Sequence, residues 1–188
     1  MLTPSGPIAI SPALIDQAAR HMRLASGLAA EQSQDVADAM RAAIAHLEAQ
    51  LGLCLLPRGF RWTGRLRRDL SVALPIVPIR VLTSAEVSRD TGGSEAVALD
   101  RFRIEPGIVR TRIFARSTIR GVLSVEFDAG FGAEWQDTPD DLRRAVLMLA
   151  AHYYDARHAA GGEGAGLPFG VNALIRPWRP LRLNSGAA

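Results

Sequence analysis

The chain has 188 residues, 48% of them hydrophobic, a single cysteine and a formal charge of +3. That is enough apolar material for one domain with a real core, and a lone cysteine, Cys54, excludes an intrachain disulfide. No stretch approaches the roughly 18 to 20 continuous apolar residues that span a bilayer, and no basic segment with an apolar run and cleavage site opens the chain, so a cytoplasmic product without a membrane partner is expected.

Residues 1–10 contain Pro4, Gly6 and Pro7 and read as an extended arm. Ser11 followed by Pro12 starts a first helix, a capping hydroxyl before a residue whose missing N–H costs nothing in the first turn. Leu14, Ile15, Ala18, Ala19 and Met22 keep helical spacing and carry it to about Leu24, after which Ser26 and Gly27 interrupt. A longer helix is predicted from about Ala30 to Leu51. Its apolar stripe is Val36, Met40, Ala43, Ile44, Leu47 and Leu51, its polar residues include Glu48, and Gly52 is the C-terminal cap.

From Pro57 to Gly132 the pattern alternates. Strands are predicted around Val72–Ile76 and Ile79–Val87, the second broken in polarity at Thr83, with a turn over Thr91–Ser94. Phe102 and Ile104 pair with Val109, Thr111 and Ile113 across a Glu105-Pro106-Gly107 turn. Leu123, Val125 and Phe127 face one way and Ser124, Glu126 and Asp128 the other, the pattern of a half-buried antiparallel strand. The last long helix starts with Thr138 as cap, Pro139 in the first turn, and Asp140 and Asp141 opposing the positive end of the dipole. Leu142, Ala145, Val146, Leu149 and Tyr153 form its buried face, and it runs to about Ala160. The expected fold class is α+β: a small helical core of three main helices with an inserted antiparallel β region and an extended C-terminal tail. Residues 1–160 form a single helical domain, with the insertion at about 57–132.

Residues 161–166 are a flexible glycine-rich joint with a random-coil span of roughly 13 Å. The tail at 167–188 is apolar and aromatic among arginines. Pro168, Pro177 and Pro180 limit any helix to a short turn over Phe169–Ile175. Aromatic residues and arginine are favoured at interface hot spots, which makes Phe169, Leu174, Ile175, Arg176, Trp178 and Arg179 candidate partner-binding residues. The other reading is that the tail folds back over its own domain.

Chemistry-bearing constellations do not emerge. The four histidines are His21, His46, His152 and His158, and none joins a metal-ligand spacing. Serine-hydrolase, dinucleotide and P-loop signatures do not occur. No catalytic, metal or cofactor site is expected. Asp140 and Asp141 read as dipole partners, and His152, Tyr153 and Tyr154 lack the strand-borne pattern of an RNA-binding sheet. All 22 basic residues are arginine, gathered at Arg58–Arg68, Arg101–Arg120 and Arg176–Arg182 without five consecutive charges, so a disordered basic arm is not indicated. Contact with DNA by Arg58, Arg61, Arg65, Arg67 and Arg68 stays open beside a solvated rim or pairing with acidic groups. The alternative function is therefore an arginine-rich DNA-binding accessory protein.

The runs AARHMRLASG, AHLEAQLGLCLLP, VEFDAGFG, TPDDLRRAVLMLAAHYYDAR and LPFGVNALIRPWR, in this order, resemble the head-to-tail connector, or adaptor, family of long-tailed phages and alphaproteobacterial gene transfer agents. The resemblance covers nearly the whole chain and is weakest in the central strands. It implies a structural, homo-oligomeric ring of about twelve subunits that binds the portal protein. Such a ring extends the DNA channel, which DNA crosses without sequence-specific binding, and offers a platform to a stopper or tail-completion protein. It also implies assembly in the cytoplasm and a final place at the head-tail junction of a phage-like particle. The tail would reach the portal. Separately, the many arginines on the strand faces of the β insertion, Arg110 and Arg112 among them, make it a candidate for contact with a neighbouring copy or the stopper.

Overall fold

The computed structural model describes residues 1–89, 92–107, 110–156 and 166–179. The predicted turn residue Thr91, strand residue Val109, His158, the joint at 161–165 and the tail beyond Arg179 lie outside the described residues. The chain divides into a β unit, Met1–Ala9 with Leu53–Pro139, and a helical unit, Ile10–Gly52 with the chain from Asp140 onward.

In the helical unit, α1 (Pro12–His21) begins as its capping signals dictate, the Ser11 hydroxyl accepting a 3.3 Å hydrogen bond from the Leu14 amide. It ends earlier than the expected Leu24. Arg23 turns left-handed at φ 57°, and the amides of Arg23 and Leu24 bond back to the carbonyls of Arg20 and Ala19, a closure that stops the helix. The expected break at Ser26 and Gly27 is instead the start of a short helix, α2 (Ser26–Glu31), whose Leu-Ala-Ala-Glu run favours helix.

The next helix, α3 (Ser33–Leu51), buries the whole predicted stripe from Val36 to Leu51. Gly52 caps it at φ 70°, donating its amide to the Glu48 carbonyl at 2.8 Å. Glu48, expected on the polar side, is only 7% exposed. Helix α4 (Asp140–Ala156) buries Leu142, Ala145, Val146 and Leu149 and packs on α3. Its last inward aromatic is Tyr154, whose hydroxyl bonds the Gln32 side chain, whereas the expected Tyr153 is half-buried. Helix α5 (Phe169–Ile175) packs against α4.

Among the described residues the β unit contains eight strands, all paired antiparallel: β1 (Leu2–Pro4), β2 (Arg58–Gly64), β3 (Ser71–Leu74), β4 (Ile79–Ser88), β5 (Ser94–Ala96), β6 (Phe102–Glu105), β7 (Thr111–Ala115) and β8 (Val122–Ala129). They form a five-stranded sheet in the order β1-β2-β8-β4-β5 and a three-stranded sheet in the order β3-β7-β6. The predicted hairpin is β6-β7, with Ile104 opposite Ile113. In β4, register shifts between Ile79 and Val81 and between Leu82 and Ser84 explain the broken polarity near Thr83, because an unpaired residue swings the following side chains to the other face. The inner faces share one core: Phe60, Leu82, Val125 and Phe127 from the larger sheet, Val72, Phe102 and Ile113 from the smaller. Phe60 and Phe127, directly opposed across β2 and β8, stack at 5.8 Å between centroids. Cys54 is fully buried in this core. Helix α4 begins at Asp140, two residues beyond the expected cap Thr138, whose buried hydroxyl donates to the Leu55 carbonyl at 2.8 Å within the β unit.

Candidate partner-binding surfaces

The tail residues are divided by helical geometry. Val171 and Ile175, four apart and on one face of α5, are fully buried. Full burial of each such side chain contributes about 1.5–3 kcal/mol. Gly170 faces α4, where the methyl carbon of the flexible Met148 side chain would lie 2.6 Å from an added Cβ. Ile175 is thus a packing residue of its own unit, while Phe169 is 89% exposed and Leu174 is half-buried.

After α5, a 3-10 turn at Arg176–Trp178 carries the chain around. The Trp178 indole N–H donates to Asp141 Oδ2 at 2.6 Å, so Asp141 anchors the tail as well as facing the start of α4. Arg179 donates to Asn172 Oδ1 at 2.6 Å, and Asn172 donates to the Leu167 carbonyl at 2.7 Å. Arg176 is exposed. The two readings of the tail therefore hold for different residues: its inner face is core, and Phe169, Arg176 and Arg179 present an apolar and cationic outer face.

The outer faces of the β unit differ in sign. On the larger sheet, Glu86, Glu126 and Asp128 alternate outward from the buried Val87, Val125 and Phe127. Arg61 on β2 lies opposite Glu126 and donates to it from Nε at 3.0 Å. Its hydrogen bond, then the attraction between the charges, raises the Arg61 pKa. Hydrogen bonds from Arg61 and from Ser84, the latter at 2.8 Å, hold the Glu126 carboxyl below its usual range. On the smaller sheet, Arg103 and Arg112 alternate outward from Phe102 and Ile113, with Arg110 exposed beside them. The Arg103 guanidinium sits 5.2 Å from the Phe114 ring centroid. At the foot of this sheet the Ser71 hydroxyl bonds Asp69 at 2.8 Å and lowers its carboxyl pKa, with Arg112 contributing less.

Residues considered for other chemistry have structural partners. The Tyr153 hydroxyl lies 2.8 Å from His46 Nδ1, and burial raises the Tyr153 pKa. A cleft of about 650 Å³ in the β unit is bordered by Arg89, Arg101 and Arg120, with Glu95 paired to Arg89. Among the described residues no three His, Cys, Asp or Glu side chains converge as a metal site, and no helix is long and apolar enough to cross a membrane. Strand β2 lies outside the strands expected from sequence, although Phe60 and Trp62 alternate there with Arg61 and Thr63; the flanking arginines mask the period of two.

No family model and no curated protein matches the sequence. Solved structures do. A chain in the neck of an empty gene transfer agent particle, computed with C6 symmetry, is 34% identical, with both chains covered in full and a TM-score of 0.82. A chain in the virion of a native gene transfer agent particle is 34% identical over 99% of this chain and 98% of that one, also with a TM-score of 0.82. A third, in the neck of a native particle computed with C12 symmetry, is 32% identical over the whole of both chains, with a TM-score of 0.75. With likeness of that extent over the full length of both the helical and β units, this chain belongs to the head-to-tail connector family of gene transfer agent necks.

Proposed function

We propose that the chain is the adaptor subunit of a head-to-tail connector ring, a structural part with no reaction to promote. It stands between the capsid portal and the stopper or tail and lengthens the channel through which DNA passes without sequence-specific binding. The full-length likeness to chains of gene transfer agent necks carries this reading. Twelve copies satisfy both the C12 and the C6 symmetry of those necks, whereas six cannot satisfy C12, so twelve is the count adopted. The ring assembles in the cytoplasm and then occupies the head-tail junction.

Attachment to the portal falls to the outer face of the tail: Phe169, Leu174, Arg176, Trp178 and Arg179, with Ile175 as the buried footing that holds α5 in place. An exposed phenyl ring beside guanidinium groups is the composition of a binding hot spot. Each subunit's contact is modest, but around a ring every attachment after the first is effectively intramolecular. The test follows from the geometry. Truncation after Gly166 would strip Val171 and Ile175 from α4 and confuse folding with binding, so the sharper variant is Phe169→Ser with Arg176→Glu. Its circular dichroism and melting temperature should match the parent, and it should fail to co-purify with portal-bearing particles. Parental attachment would overturn the assignment.

A further inference from the structure

We propose that neighbouring copies of this chain meet through the two outer faces of the β unit, the acidic face of the five-stranded sheet on one copy against the basic face of the three-stranded sheet on the next. The inference rests on the ring reading above and names the contact that closes the ring.

Cyclic assembly sets a geometric requirement. A closed ring with more than two members uses a head-to-tail contact, so each subunit needs two different, complementary patches, and in a large ring these point in nearly opposite directions. The β unit meets this condition by construction. Both sheets turn their apolar residues into one shared core, so their outer faces look away from each other.

Charge supplies the complementarity. Glu86, Glu126 and Asp128 stand on the outer face of the larger sheet with Arg61, a cation already held by Glu126, and exposed Arg80 lies at the β4 bulge between Ile79 and Val81. Glu86 and Asp128 have no ion pair among the described residues. On the smaller sheet Arg103 and Arg112, with Arg110 beside them, outnumber Glu105, directly opposite Arg112, and Asp69 at the foot of the sheet. Arg103 is likewise without an ion pair among the described residues, and half-buried Phe114 beneath it adds an apolar contact. Each face repels its own kind, which disfavours a two-fold dimer through either sheet and leaves the head-to-tail arrangement as the one in which unlike faces meet.

Two full-length variants test the pairing in particles whose own copy of the chain has been deleted. One reverses the acidic face, Glu86→Arg with Asp128→Arg; the other reverses the basic face, Arg103→Glu with Arg112→Glu. Glu86, Arg103 and Arg112 are exposed and Asp128 is half-buried, and circular dichroism confirms folding before assembly is read. The amount of chain per purified particle is measured by quantitative mass spectrometry, and the neck is imaged. Each variant alone should fall at least tenfold below the parent. An equal mixture of the two should recover most of the loss, because alternating copies again set unlike faces together. The proposal is overturned if either variant enters particles at the parental level, or if the folded variants fail to rescue each other. Loss confined to the arginine variant would assign that face to DNA instead and overturn the pairing as well. If the parent itself forms no ring in the neck, the ring reading falls; a parental ring with unaffected variants removes the face pairing alone.

Discussion

In the helical unit, α5 turns Val171 and Ile175 inward and leaves Phe169 almost wholly in solvent, whereas in the β unit the strands turn their apolar residues inward and keep charge outside. The two regions thus differ in surface chemistry, and under the proposals above they would attach differently. An exposed aromatic side chain concentrates binding energy in a small area and is little affected by salt. A charged sheet face spreads weak attractions over many groups, sets orientation, and is screened over a distance of about 10 Å at 0.1 M salt. One surface suits a firm point of attachment, the other the alignment of repeated copies.

The contrast can be broken most strongly at the footing of the tail. Ile175→Ala should cost about 2–4 kcal/mol in urea unfolding, because a fully buried side chain is removed from the α4–α5 contact. A loss under about 0.5 kcal/mol would mean that the inner face of α5 is not core. Trp178→Phe should have a smaller effect, about 1 kcal/mol, from loss of the indole bond to Asp141, and proteolysis of the tail should become faster. The smallest effect belongs to the exposed sheet face. Glu126 has a lowered carboxyl pKa in the folded chain, so its contribution is present at neutral pH and is lost as pH falls through that lowered value. Glu126→Gln should therefore narrow the stability difference between neutral and strongly acid buffer, with added salt narrowing it further in the parent. An unchanged pH profile would show that the Arg61–Glu126 pair contributes nothing to folding.

Much of the helical unit was legible because its information is local. The stripe from Val36 to Leu51, the start at Ser11-Pro12 and the left-handed Gly52 cap each depend on residues within a few turns of one another. The β6-β7 hairpin was legible for the same reason, its two strands being joined by a short connection with a turn signal. The arm at Leu2–Pro4 was a different case, since it becomes strand β1 only by pairing with Arg61 and its neighbours, nearly sixty residues away. Thr138 shows the opposite failure: its local sequence fits a helix cap, but α4 starts at Asp140 and the Thr138 hydroxyl is directed at the Leu55 carbonyl, distant in the chain. The candidate tail residues were visible as a composition, but not their division into Ile175 beneath and Phe169 outside.

By itself the sequence determined the main helices α3 and α4, the β6-β7 hairpin and the alternation of β8, most of the buried positions along them, and the apolar, arginine-bearing character of the tail, because periodicity and capping act over a few residues. Only the tertiary structure decided which strands pair, that the acidic and basic sheet faces point away from each other, and which side of α5 is left outside. Those outcomes depend on packing between distant segments, and a one-residue change of strand register would have exchanged the buried face for the exposed one.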